Sequence, residues 1–164
     1  VRDGWTLFKT ITAFTVANSV TLSVAAIGVM RVPTPPLNAA IALSILFMAV
    51  EVVRSWRGQT SFTIRRPWVV AFGFGLIHGF GYASGLAELG LPRGELLLAL
   101  LLFNIGIEIG QDVFVFLVLA LKRSFRQLEI HWPQWAVRLP GYAVGVAGAF
   151  WTFEHTTALF LPGG

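Results

Sequence analysis

Five apolar runs dominate this chain, and each is about as long as a bilayer is thick. They lie at approximately Thr6–Met30, Leu37–Trp56, Trp68–Leu89, Leu96–Leu121 and Leu139–Leu161. A helix needs about 20 predominantly apolar residues to cross the hydrocarbon core. The runs are continuous and lack the period-two alternation of a spanning barrel, so strands are not expected to cross. Of the 164 residues, 55% are hydrophobic and only 12% are charged; a soluble domain carries about 25% charged residues. The expected fold is an all-α integral membrane protein, a polytopic helical bundle of about five transmembrane helices. Residues 1–164 form one membrane-embedded domain in this reading.

The runs are separated by residues that break or cap helices. Pro33, Pro35 and Pro36 end the first hairpin. Arg57, Gly58 and Gln59 lead to Arg65, Arg66 and Pro67 in the second connection. Gly90, Pro92 and Gly94 make the third tight. The fourth holds Lys122, Arg123 and Arg126, then His131, Trp132 and Pro133; it is amphipathic and expected at the interface.

The basic residues carry an orientation signal. Arg2 and Lys9 precede or open the first run, Arg54, Arg57, Arg65 and Arg66 flank the second connection, and Lys122, Arg123, Arg126 and Arg138 flank the fourth. With five spans these fall on one side, leaving Arg31 and Arg93 on the other. The positive-inside rule then puts the N-terminus and the Arg-rich connections in the cytoplasm and the C-terminus outside. The net charge of +4 is thereby read as topology, and nucleic acid is not an expected partner. The absence of cysteine excludes disulfides, thiolate metal sites and a cysteine nucleophile. No nucleophile stands beside a base and no metalloprotease helix motif is present, so an enzyme is not expected.

The run Phe103–Gln111, F-N-I-G-I-E-I-G-Q, sets polar groups inside the fourth apolar stretch. Asn104, Glu108 and Gln111 fall at i, i+4 and i+7 and share a helix face. A carboxylate at mid-bilayer costs about 2.5–3.5 kcal/mol on insertion scales, so it is expected to have a partner. Asn18 lies about 18 Å into the first span, His78 about 15 Å into the third, and Glu108 about 18 Å into the fourth. In a core about 30 Å thick, all three are near the middle. Asp112 follows close to the same face as Glu108, and Thr12, Thr15, Ser19 and Thr21 surround Asn18. Gly75/Gly79 and Gly81/Gly85 are small-xxx-small pairs beside His78 that permit close helix approach. Glu108, His78 and Asn18 also suit interhelical hydrogen bonds. Glu51 suits an ion pair with Arg54, while His131, Trp132 and Trp135 suit interface anchoring.

Four ordered motifs resemble the HupE/UreJ family of small membrane proteins, which accompany hydrogenase and urease gene clusters. F-T-V-A-N-S-V-T-L at Phe14–Leu22 resembles the family's F-T-x-A-H-S-x-T-L, and G-L-I-H-G-F-G-Y-A at Gly75–Ala83 resembles G-L-x-H-G-x-G-F-A. Phe103–Gln111 resembles F-N-x-G-x-E-x-G-Q, and W-T-F-E-H at Trp151–His155 resembles a terminal W-x-x-E-R. Asn18 stands where the family has histidine, and the family's first helix, with its H-I-x-x-G-x-D-H type motif, is absent from this chain.

The resemblance implies a candidate nickel or cobalt permease of the bacterial inner membrane, with Ni(II) or Co(II) bound transiently and no resident cofactor. His78 and Glu108 are the implied metal-handling pair. Asn104, Gln111 and Asn18 would add oxygen ligands or orient that pair, and Asp112 would relay toward the cytoplasm. The lipid bilayer is the expected surrounding. The alternative is a non-catalytic accessory subunit, with a degenerate metal site, that packs against other membrane subunits or further copies of itself.

Overall fold

The computed structural model describes residues 4–28, 30, 32–88, 93–127 and 133–160. They form six helices: α1 (Gly4–Ala26), α2 (Thr34–Trp56), α3 (Phe62–Arg65), α4 (Pro67–Glu88), α5 (Arg93–Gln127) and α6 (Gln134–Phe160). No strand occurs among the described residues. Every expected apolar run therefore appears as a helix. Arg2, Arg31, Gly90, Pro92, His131 and Trp132 lie outside the described residues.

The helix ends follow from local chemistry. The prolines expected to close the first hairpin instead open α2: Pro33 is its N-cap and the next proline sits in the first turn. That position has no intrahelical N–H partner to lose. At the other end, Gly58 adopts φ +71° and its N–H bonds Ser55 O at 3.2 Å, a left-handed exit that glycine makes without steric cost. Ser61 then caps the single-turn α3 by accepting from Ile64 N at 3.2 Å. Pro67 begins α4.

Among the described residues four helices have the length and apolarity to cross a membrane, over Gly4–Ala25, Thr34–Trp56, Pro67–Leu86 and Leu98–Phe125. The fifth expected span falls in α6, which has the length but is diluted by Glu154, His155 and a series of threonines and glycines. Its packing nevertheless runs along a spanning helix. Gly141 lies against the Trp56 indole, Gly145 against Ala49 and Gly148 against the Leu46 backbone. Rising numbers on α6 thus meet falling numbers on α2, so the two are antiparallel.

The other helices are ordered by similar contacts. Gly75 meets Phe14 and Ala17 while Gly79 meets Asn18 and Thr21, so α4 runs parallel to α1. Phe74 meets Phe47 and His78 meets Ser44, so α4 opposes α2. Contacts between elements give the lateral order α5, α1, α4, α2, α6, with α3 tucked against α2 and α4. α1, α4 and α6 thus run one way and α2 the other.

Very little is buried in this row. Among the described residues only Leu22 and Asn18 are fully enclosed large side chains, and the remaining core is small: Ala17, Ala42 and Ala49 with Leu37 and Leu100. Phe114, Phe116, Val146, Phe153 and Phe160 face outward. An apolar surface of this extent suits lipid. Close backbone approach at glycine, rather than burial of large side chains, holds helices together in lipid. A Cβ at Gly75 would come within 2.5 Å of Phe14 O and 2.8 Å of Ala17 Cβ.

Candidate functional site

The polar residues of α1 divide by the neighbour they face. At about 100° per residue, Phe14, Ala17 and Thr21 lie to one side of Asn18 and Thr15 lies about 60° to the other. The first group meets the glycines of α4. The only other helix against α1 among the described residues is α5, so Asn18 and Thr15 are covered from that side.

Asn18 is completely buried. Its Nδ2 donates to Asn104 Oδ1 at 2.9 Å, which joins the first motif to the third. Its own Oδ1 has no hydrogen-bond partner, and the same is true of Thr15 Oγ1 and Gln111 Oε1. The contrast with nearby hydroxyls is informative. Thr10 bonds back to Thr6 O at 2.7 Å, Ser19 to Thr15 O at 2.8 Å, Thr21 to Ala17 O at 3.1 Å and Ser23 to Ser19 O at 2.8 Å. Each is satisfied by its own helix, as hydroxyls in apolar helices usually are. Thr15 is not, although it is 8% exposed.

Going down α5, Gln111 falls within about 20° of Asn104, Glu108 about 40° and Asp112 about 80° to the other side. Asn104 and Gln111 therefore face α1, while Glu108 and Asp112 ride the flank and are exposed. Neither carboxylate forms a hydrogen bond or ion pair with a described residue. A groove of about 230 Å³ opens at this level between α1, α4 and α5, with Ile11, Phe14, Ala71, Gln111 and Phe114 among its walls.

His78 belongs to a different contact. Its Nε2 lies 2.9 Å from Ser44 Oγ on α2, and Phe14 meets the ring edge-on at 5.7 Å. Ser44 Oγ is also 2.6 Å from Ile41 O. A hydroxyl has one proton to give. With that proton on Ile41 O, ring Nε2 carries the N–H and Nδ1 keeps the lone pair. This tautomer is assigned from the hydrogen-bond network.

The residues expected at one depth are thus joined in pairs. Asn18 meets Asn104, and His78 meets Ser44. His78 and Glu108 make no hydrogen bond or ion pair with each other. Among the described residues no three His, Asp or Glu side chains converge as a metal cage. Ser44 carried no signal in the sequence beyond its place in an apolar run. Thr15 carried one, its spacing of three residues from Asn18.

Glu51 forms the expected pair with Arg54, at 2.7 Å. It is also buried, and its second oxygen accepts a hydrogen bond from Ser61. The pair is therefore a brace between α2 and the α3 turn as well as a neutralised charge.

Residues 1–155 match the HupE / UreJ protein family. No curated protein and no solved structure matches the chain.

Proposed function

We propose that this chain, which belongs to the HupE/UreJ family, handles a divalent metal ion in transit across the membrane, as a nickel or cobalt permease. The observation that carries the reading is the buried polar contact between Asn18 and Asn104, at mid-bilayer depth, beside oxygens that no described residue satisfies. Buried polar groups of a membrane bundle join helices or line ion pathways, and oxygens left without a partner favour the second.

His78 and Glu108 are the proposed ligands. Imidazole nitrogen and carboxylate oxygen suit Ni(II), and passage calls for weak, exchangeable ligation rather than a closed cage. Ser44 orients the imidazole through Nε2 and leaves Nδ1 for the ion, as outer-shell partners do at metal sites. Asn104, Gln111 and Asn18 supply oxygens or orient the ligands, and Asp112 relays toward the cytoplasmic end. The chain sits with its N-terminus and Arg-rich connections cytoplasmic, in a bacterial inner membrane, and performs no covalent chemistry. Isothermal titration of the purified protein with nickel tests this. His78→Ala with Glu108→Ala should abolish binding; unchanged affinity in that double variant would overturn the assignment.

A second reading is supported by the exposed flank of α5. Glu108 and Asp112 are exposed on α5, which among the described residues packs along α1 and meets α4 where Phe103 touches Tyr82; their open flank suits a subunit whose neighbour lies on that side. Co-purification from native membranes separates the two: a chain that isolates alone as a stable small oligomer argues against obligate subunit status.

A further inference from the structure

We infer that the seam between α1 and α5 is a sodium site, built from Thr15 Oγ1, Asn18 Oδ1 and Gln111 Oε1, with Glu108 as its counter-charge. All three oxygens lack a hydrogen-bond partner, and two belong to side chains more than nine-tenths buried.

The register sets Thr15 within about one helical turn of both Asn18 and the level of Gln111. Asn18 opposes Asn104, while Gln111 and Phe114 line a groove with Thr10, Ile11 and Phe14, so α1 and α5 are antiparallel. Thr15 is then level with Ile107 and Glu108. The Gln111 side chain leans toward the helix N-terminus, as all helical side chains do, and so toward that same level. In two antiparallel right-handed helices, turning in the same sense from the contact line leads to the same side. Thr15 and Glu108 are both turned in that sense, so the hydroxyl and the carboxylate share a flank.

The donor set selects the ion. Hydroxyl and amide oxygens are hard ligands, which without the His78 nitrogen suit alkali and alkaline-earth cations better than nickel. Three neutral oxygens and one carboxylate balance a single positive charge. Magnesium, which gives up water reluctantly and binds through carboxylates, fits poorly. The site shares Glu108, Asn18 and Gln111 with the nickel reading but uses neither His78 nor nitrogen ligation, and Thr15, which that reading leaves out, separates the two.

The test is thermal unfolding of the purified protein in detergent, in sodium, potassium or choline chloride at equal ionic strength. Sodium alone should raise Tm, saturably and by about 2–4 °C. In Thr15→Val the sodium increment should vanish, while Tm in choline chloride holds or rises, because an unpaired buried hydroxyl has been replaced by an isosteric methyl. Gln111→Leu should also lose the increment, and His78→Ala should keep it. A rise that potassium or choline reproduces, or that Thr15→Val retains, overturns the inference. Equal Tm in all three salts overturns it as well, and would leave an ordered water as what the oxygens hold. Nickel titration of the same Thr15→Val preparation shows whether the metal reading stands or falls separately.

Discussion

Asn18 Nδ2 and Asn104 Oδ1 lie 2.9 Å apart across 86 residues of sequence, and this contact fixes α5 against α1. Interhelical hydrogen bonds in membranes are worth about 0.6 kcal/mol on average and at most about 1.7. A double-mutant cycle of Asn18→Leu and Asn104→Leu, read by denaturation in mixed micelles, should give a coupling energy within that range. A coupling of zero would mean that the two amides do not meet.

Gly75 and Gly79 set the spacing of α4 on α1. A methyl at Gly75 meets the Phe14 carbonyl and the Ala17 methyl, neither of which moves without the helix. Overpacking of this kind costs about 1–3 kcal/mol. Gly75→Ala should lose that much stability by the same denaturation assay. Gly85→Ala should change little, since open space surrounds it.

Ser61 has two tasks: it accepts from Ile64 N and donates to the buried Glu51 carboxylate. Ser61→Ala should cost about 1–3 kcal/mol through the lost cap and the under-satisfied charge. Ser61→Thr should restore most of it. Equal stability of Ser61→Ala and wild type would show that Arg54 alone satisfies Glu51.

Gly141, Gly145 and Gly148 hold α6 to α2, with Gly141 seated on the Trp56 ring. Gly141→Leu displaces that ring and should expose Trp56, detectable as a change in intrinsic fluorescence and in accessibility to a lipid-phase quencher. Unchanged quenching would place α6 elsewhere.

Much of this fold is legible in the sequence, because apolar length and breaker residues act locally. The runs ending at Trp56 and beginning near Trp68 became α2 and α4 with boundaries only slightly moved. Gly75 and Gly79 announced a close contact by spacing alone, and Glu51 announced Arg54. Lateral order was not legible. Helical periodicity says which residues share a face, but not which helix covers it. Depth therefore suggested that Asn18, His78 and Glu108 converge, whereas α1 takes its partner from α5 at Asn104 and α4 takes Ser44 from α2. Thr15 was one of several hydroxyls around Asn18, and only the backbone bonds made by its neighbours set it apart. The apolar count also overstated α6, whose place depends on three glycines fitting α2 more than on hydropathy.

Nickel uptake into proteoliposomes tests whether Glu108 handles a metal ion in passage. Vesicles carrying the wild-type protein should accumulate Ni(II) above protein-free vesicles, and Glu108→Gln should lower the rate by about tenfold, the equivalent of about 1.4 kcal/mol of ligand interaction. Uptake indistinguishable from protein-free vesicles, or equal rates for wild type and Glu108→Gln, would rule out that role for Glu108.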